Sequence, residues 1–255
     1  MNNIKFIAIR DMLKLWQSYG YRKVQGNGVE WGITNGWPFK IWINRKEKCF
    51  QDFAAEIANL TIQYPGFSFC FWDVGENSCQ LVEQITKPGM HSPITSLQSM
   101  HLRMDYFSYR TEDPVSTKIN IVPVRQSDVE LWCHYCSLGF NYNVDPEAVS
   151  NALKDISNRV YFLLFNGNVC GGVLIRKEYN VMGIHQFFVL PELRGNGLAR
   201  IFLQKILTED ASQDVTLSIL QASSMGIGLY KKFGFVNDFE LYSIKLLKEI
   251  WDPCE

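Results

Sequence analysis

The feature that most constrains the fold of this chain is the stretch FFVLPELRGNGLARIFLQKIL, residues 187–207, where a glycine-rich turn separates two apolar segments. The run FFVL ends at Pro191, which lacks an N–H group and therefore terminates a strand. Gly195 and Gly197 follow, and after them apolar residues recur at helical spacing. Glycines let the backbone adopt dihedral angles that other residues avoid, and they let a ligand approach the main chain. The stretch predicts a buried strand, a tight turn and an amphipathic helix.

The same turn has the chemical groups of an anion-binding site. A helix that begins near Gly197 has unpaired N–H groups and a partial positive charge at its start, and Arg194 adds a full charge. Phosphate is the simplest ligand for such a turn, and the alternative is a plain connection with a surface arginine. Two other phosphate motifs fail, because Leu198 and Ala199 replace Lys-Ser/Thr, and Arg200 stands where a dinucleotide-binding turn needs glycine or alanine.

The second half of the chain alternates strands with helices. Strands are predicted at INIVPV, VYFLLF, VCGGVLIRK, VMGIHQFFVL, VTLSI and FELYSIKL, and helices at SDVELWCHYCSLG, DPEAVSNALKDI, GLARIFLQKILTED and SSMGIGLYKKF. The sequence Asn166-Gly167-Asn168 between two strands predicts a hairpin turn. Strands that first form hairpins and then alternate with helices indicate a mixed α/β sheet.

The first half has its own helices and strands, and the polar residues 109–118 separate it from the second. The segments IKFIAIRDMLKLW and QDFAAEIANLTIQ predict helices, and residues 24–43 predict extended segments joined by glycine turns. A chain of 255 residues could form one large domain or two of ordinary size. We predict two, at residues 1–112 and 118–255.

Composition limits the classes of binding partner and the cellular location that we expect for this protein. A formal net charge of -1 gives no support to binding nucleic acid or a membrane surface, because both need an excess of Lys and Arg on one face. No run approaches the ~20 apolar residues of a membrane-spanning helix, and the start MNNIKFIAIRDMLK lacks the features of a signal peptide. We therefore expect a soluble cytoplasmic protein with no nucleic-acid or membrane partner. The oligomeric state stays open.

The cysteines are predicted to be free thiols, because they are odd in number and the chain has no secretion signal. Cys133 and Cys136 have C-x-x-C spacing, but a zinc site would need a second pair of ligands at suitable spacing. They also lie well inside an amphipathic segment, whereas a redox pair belongs at a helix start. We expect ordinary helix positions for both and no metal site.

The stretch VLPELRGNGLA resembles motif A of the GNAT superfamily of acyl-CoA-dependent N-acetyltransferases. The family signature Gln/Arg-x-x-Gly-x-Gly/Ala is matched by Arg194, Gly197 and Ala199. Farther on, LQASSMGIGLYKKFGF, residues 220–235, resembles the other hallmark, a helix that carries a tyrosine and ends in Gly-Phe. The six-residue signature alone is weakly specific for the family. The signature followed by the tyrosine helix, in this order, is strongly specific for it. The resemblance implies a mixed GNAT-type sheet flanked by helices and transfer of acetyl from acetyl-CoA (coenzyme A) to a primary amine of a small molecule or protein, by direct attack.

The resemblance also implies which residues bind coenzyme A. Backbone N–H groups in the turn would hold the pyrophosphate, at Arg194, Gly195, Asn196, Gly197, Leu198 and Ala199. The strand edge formed by Phe187, Phe188 and Val189 would pair with the pantetheine arm, and the N–H of Val189 would stabilise the oxyanion. Ser223 or Ser224 replaces an asparagine that is frequent in the family and could bond the pantetheine amides.

Two side chains are implied in proton transfer. Tyr230 stands where the family places its general acid, and the alternative is an aromatic that packs the final helix. Many relatives have a glutamate on the strand before the glycine turn, but VMGIHQFFV contains no acid. His185 is the only side chain on that strand that can act as a base, with a structural histidine as the alternative, and Glu178 is a weaker candidate.

The first half resembles the degenerate N-terminal half of two-domain GNAT proteins, which implies a GNAT-like domain without a cofactor site that shapes the acceptor cleft. Trp37 is either an acceptor-lining residue or a core residue. Two other functions stay open. One is an acyl-CoA-binding regulatory or scaffold protein with weak catalysis, which the missing acid on the strand keeps open and Tyr230 argues against. The other is an aminoacyl transferase that uses charged tRNA, which the near-neutral charge does little to support.

Overall fold

The first half of the chain contributes strands that are mostly short. In a computed structural model of the protein, the described residues are 3–26, 29–43, 59–60, 62–72, 94–107, 118–210 and 214–245. Strands from the first half are β1 (Tyr21–Gly26), β2 (Val29–Thr34), β3 (Lys40–Ile43), β4 (Ser68–Trp72) and β5 (Ile94–Arg103). The helix predicted at 51–63 and the linker predicted at 109–118 lie for the most part outside the described residues.

The second half contributes longer strands and most of the helices. Its strands are β6 (Ile119–Pro123), β7 (Asn158–Phe165), β8 (Asn168–Glu178), β9 (Val181–Val189), β10 (Leu217–Ala222) and β11 (Val236–Lys245). Its helices are α2 (Val129–Phe140), α3 (Pro146–Ala152), α4 (Leu198–Lys205) and α5 (Ile227–Lys232), and a π-helical turn, Ile206–Asp210, continues α4. The first half contributes the helix α1 (Asn3–Ser18). Within the described part of the chain, no helix is both long and apolar enough to cross a membrane.

All of these strands form a single mixed sheet, in the order β1-β2-β3-β4-β11-β5-β10-β9-β8-β7-β6. The last strand of the chain, β11, is antiparallel to both β4 and β5 and lies between them. The strand β5 is in turn antiparallel to β10. The predicted mixed α/β class is therefore confirmed, while the boundary between two domains stays a prediction.

The two faces of the sheet bury different helices. Alternation along a strand sends successive side chains to opposite faces, and β9 shows this pattern. Its Phe188 joins a buried cluster with Trp132 of α2 and residues of α1 and α3. Its Ile184 and Val189 join another cluster, with residues of α4 and α5. The helices α1 to α3 thus cover one face, and α4 and α5 cover the other.

The helix α1 covers strands of the second half although it is the first element of the chain. It contacts β8, β9 and α3. Its residues Ala8 and Ile9 are buried with Leu217 and Ile219 of β10. Apolar residues at helical spacing predicted this helix, but only the structure identifies the strands on which it packs.

A prediction for the fold concerns Gly32, which lies opposite Trp42 in the pairing of β2 with β3. A Cβ atom at Gly32 would overlap the indole ring of Trp42, which is fully buried. We expect Gly32→Ala to lower the free energy of unfolding by about 1–3 kcal/mol, because overpacking forces the ring to move. Urea unfolding followed by circular dichroism measures the change.

The matched control is Gly228→Ala in α5, where an added Cβ has no atom within 4 Å. Alanine is a better helix former than glycine, so this variant should be equal to the wild type or about 0.5–1 kcal/mol more stable. Equal stability of the Gly32 variant and the wild type would contradict the prediction.

Candidate active site

The sheet opens between β9 and β10. The two strands are parallel and pair over four residue pairs, from Val181 opposite Leu217 to Ile184 opposite Leu220. Beyond this point β9 continues to Val189, and β10 continues to Ala222, without further pairing between them. Beyond the paired part, a slot therefore lies between the edges of β9 and β10, and backbone groups along this slot are available to a ligand.

A β-bulge lies in β9 where the pairing with β10 stops. The register between β8 and β9 shifts between Gly172 and Leu174, so that Val173 alone lies opposite two residues of β9. One of these two, Gln186, has a φ of 47°, in the left-handed region. A bulge bends its strand and increases the local twist, which explains why β9 turns away from β10 at this position.

The backbone of Val189 faces the slot. The N–H of Leu190 donates to the carbonyl of Cys170 at 2.9 Å, on the side of β8. Consecutive residues of a strand direct their backbone groups to opposite edges, so the N–H and C=O of Val189 point to the other side. That carbonyl accepts a hydrogen bond from Nε of Arg194 at 3.0 Å. The strand pairings of the described residues provide no acceptor for the N–H of Val189, which leaves it free for a ligand carbonyl.

The glycine turn has the conformation of an anion-binding loop. Gly195 and Gly197 have φ angles of 81° and 76°, and no atom lies within 4 Å of a Cβ added to either. The carbonyl of Gly197 accepts from Arg200 and Ile201, which starts α4. In the described residues, no backbone carbonyl accepts from the N–H groups of residues 195–199. These N–H groups are the natural partners for phosphate oxygens at a helix start.

The guanidinium of Arg194 has a structural role that the sequence did not reveal. Besides the carbonyl of Val189, it donates through Nη2 to the carbonyl of Gly139. Gly139 lies in the last turn of α2, where a cation is favoured by the helix dipole. Arg194 therefore ties the end of β9 to α2, and its backbone begins the glycine turn.

The other side of the slot carries Ser223, Ser224 and Tyr230. Both serines are exposed and directly follow the end of β10. The carbonyl of Ser223 accepts from Gly226 and Ile227, which forms the turn into α5. The structure thus places both serines beside the slot, and no described contact distinguishes their side chains as ligand groups.

Tyr230 lies on α5 and is 8% exposed. It shares a buried cluster with Val189 and Phe187, and its ring meets the ring of Phe235 edge-on at 5.7 Å between centroids. Burial raises the pKa of Tyr230 above its ordinary value. The phenol is therefore protonated at neutral pH and able to donate a proton. Phe188 faces the opposite side, where it meets the ring of Trp132.

The side chain of His185 is buried on the face covered by α1. Its Nε2 atom lies 2.8 Å from Oδ2 of Asp11, a residue of α1. The alternative base, Glu178, bonds both Arg10 and Arg176. It lies opposite Val181, at the end of β9 that is remote from the slot. The geometry therefore favours His185 over Glu178.

The sequence analysis missed Asp11 and Arg176. Asp11 lies four residues after Ile7 and four before Leu15, on the apolar stripe of the predicted helix. A carboxylate on such a stripe is a sign of a buried partner, and this sign could have been read. Arg176 had no comparable signal, because it lies near the polar end of a strand.

Two other sequence features have structural roles. Trp37 is 5% exposed and meets the ring of Tyr19 edge-on at 4.9 Å, so it is a core residue. Cys133 and Cys136 are buried in α2, which confirms the predicted helix positions. Burial raises the pKa of Cys133 to about 12, so this thiol is unreactive at neutral pH.

Comparisons with known proteins agree with this geometry. Residues 128–235 match the sequence profile of the family described as Acetyltransferase (GNAT) family. No curated protein matches the sequence. Among solved structures, a GCN5-related N-acetyltransferase from Kribbella flavida is similar with a TM-score of 0.67, 11% identity and coverage of 96% of each chain.

Two further structures are similar in the same way. A GCN5-related N-acetyltransferase from Sphaerobacter thermophilus has a TM-score of 0.61 and 13% identity, with coverage of 86% of this chain and 77% of that chain. A GCN5-related N-acetyltransferase-like protein from Streptococcus suis has a TM-score of 0.54 and 12% identity, with coverage of 93% and 99%. At these identities the likeness concerns the fold. The profile match identifies residues 128–235 as a GNAT acetyltransferase domain.

The burial of Tyr230 yields a prediction about its titration. In ¹³C-tyrosine-labelled protein, the Cζ resonance that disappears in Tyr230→Phe should keep its phenol position beyond pH ~10, where an ordinary tyrosine is half ionised. The folded-state pKa is raised, so the stability that this group contributes is complete below the unfolded-state pKa and declines as the pH rises above it. Half ionisation near pH 10 would contradict the prediction.

Proposed function

We propose that this protein transfers the acetyl group of acetyl-CoA to a primary amine of a small molecule or protein by direct attack, without a covalent enzyme intermediate. The observation that carries the proposal is the slot between β9 and β10, with the N–H of Val189 on one edge. A slot of this kind suits an extended pantetheine arm, because strand edges hydrogen-bond to extended chains.

The geometry of the slot and the turn supports a set of coenzyme A-binding residues. The N–H groups of residues 195–199 would bind the pyrophosphate, with α4 directed at it. The N–H of Arg194 is not among them, because it donates to the carbonyl of Pro191 at 3.3 Å. The backbone of Phe187 and Val189 would pair with the pantetheine arm. The backbone groups of Phe188 face β8 by the same alternation, so the expectation that Phe188 also pairs with the arm is given up. Ser223 and Ser224 would bond the arm from the side of β10. The two open glycines, Gly195 and Gly197, support this assignment because they leave space above the backbone.

Each step of the acetyl transfer would use one backbone or side-chain group near the slot. The N–H of Val189 would stabilise the negative charge that develops on the carbonyl oxygen when the amine attacks. Tyr230 would give its proton to the departing thiolate, and the raised pKa keeps that proton in place at neutral pH. His185 would accept the proton that the amine loses.

The spacing of His185 and Val189 implies water molecules in this proton transfer. Four residues of extended strand span ~13 Å, and the bulge at Gln186 shortens this path only in part. A chain of water molecules between the imidazole and the amine would complete the path, because one bridging water joins atoms only about 5–6 Å apart.

Calorimetric titration with acetyl-CoA, combined with a thiol-release assay against a panel of amines, tests the proposal. Binding with turnover supports it, and binding without turnover against any amine favours the regulatory alternative. Absence of binding would contradict both. A gel shift with tRNA tests the aminoacyl transferase alternative.

A prediction about the glycine turn separates ligand binding from backbone strain. Gly197→Ala should weaken acetyl-CoA binding roughly 10-fold or more, because a methyl group would occupy the space that the pyrophosphate needs. The matched control is Gly167→Ala in the hairpin between β7 and β8. There φ is 80° instead of 76°, and an added Cβ also has no atom within 4 Å. Equal losses of affinity in both variants would show that strain alone is the cause.

A prediction about Tyr230 separates catalysis from binding. We expect Tyr230→Phe to lower kcat by roughly 10²-fold, within the range of general acid catalysis, with the dissociation constant of coenzyme A nearly unchanged. Steady-state kinetics and calorimetry measure the two quantities. If affinity falls as much as kcat, Tyr230 only packs the site.

A further inference from the structure

A buried carboxylate of the first helix reaches the strand that carries the proposed base. The Asp11 side chain on α1 is 5% exposed, and its Oδ2 atom lies 2.8 Å from Nε2 of His185. Its other oxygen lies 3.6 Å from Nε of Arg176 on β8. Burying a carboxylate is costly unless it is paired. Here Oδ2 has a hydrogen-bond partner in His185, and the second oxygen has a charged neighbour in Arg176 at a distance too long for a hydrogen bond. The pair of Asp11 and His185 is therefore a structural element of the protein interior.

The sheet makes room for this pair with a glycine. A Cβ atom at Gly183 would overlap Oδ2 of Asp11 and would lie 2.6 Å from Nε2 of His185. Any other residue at this position would push the carboxylate away from the imidazole. Gly183 is therefore required for the close approach of α1 to β9.

The bond to Asp11 determines which nitrogen of His185 can accept a proton. A carboxylate only accepts hydrogen bonds, so Nε2 must carry a hydrogen, and in the neutral ring Nδ1 then presents its lone pair. Among the described residues no group hydrogen-bonds to Nδ1, so its lone pair is not occupied by another residue, as a base that works through water requires.

Further charges hold the carboxylate in place. Arg176 is 3% exposed and bonds Asp155 at 2.8 Å and Glu178 at 2.9 Å. Glu178 also bonds Arg10, the neighbour of Asp11 on α1. The charged groups that face the pair from α1, β8 and the segment before β7 thus form one connected network.

We propose that Asp11 is a positioning residue, which holds the imidazole of His185 in the tautomer whose Nδ1 atom accepts a proton. The helix α1 belongs to the first half of the chain. Through Asp11 it thereby orients the proposed catalytic base of the second half, His185. The catalytic consequence rests on the proposed function, whereas the tautomer does not. The two can therefore fail separately.

Imidazole ¹⁵N spectra of labelled protein test the tautomer directly, with the signal of His185 assigned from its loss in His185→Gln. We expect the Nε2–H tautomer in the wild type. In Asp11→Asn the amide can donate as well as accept, so a share of the Nδ1–H tautomer should appear. Pure Nδ1–H tautomer in the wild type overturns the proposal without any variant.

The matched control is Asp155→Asn, which removes a carboxylate from the same network without touching His185. We expect Asp11→Asn to lower kcat roughly 10- to 100-fold with KM for acetyl-CoA within about 2-fold, and Asp155→Asn to keep both kcat and the tautomer. Equal losses in both variants would mean that Asp11 only stabilises the fold. If no amine is acetylated by the wild type, the proposed function fails, and the spectra still decide the role of Asp11.

Discussion

The divergence of β9 from β10 is the constraint on which the site depends. Parallel strands that pair along their full length use every backbone group at their edges, and such a pair would leave nothing for a ligand. Here the pairing ends at Ile184, and the backbone groups beyond it need other partners. Arg194 supplies one for the carbonyl of Val189. A charged donor compensates well for a lost ladder bond, whereas the strand pairings of the described residues give the N–H of Val189 no acceptor.

The divergence also links the two halves of the chain. The strand β10 that leaves β9 remains paired with β5 on its other edge, and β5 continues to β11. One edge of the slot is thus supported by a strand from the first half, and α1 covers the sheet beside the other edge. The first half therefore supports the proposed active site from both sides, whichever domain boundary is drawn.

Local features could be predicted from the sequence, and distant contacts could not. The glycine turn, the hairpin at Gly167 and the helix of Tyr230 depend on neighbouring residues, and each lies close to its predicted place. By contrast, Asp11 meets His185 across 174 positions of sequence, and Arg194 meets Gly139 across 55. Periodicity and turn chemistry carry no information on such pairs, because they arise from the way helices dock on the sheet.

The two groups proposed to transfer protons lie on opposite faces of the sheet, which would give the proposed reaction its direction. Tyr230 lies among apolar side chains on the face of α4 and α5, where burial keeps its proton bound. His185 lies on the face of α1, beside a carboxylate and within reach of a charged network. Two titratable groups in such different surroundings are suited to opposite roles. A thioester held in the slot would then have the acid on the side of its sulfur and the base on the side from which an amine approaches.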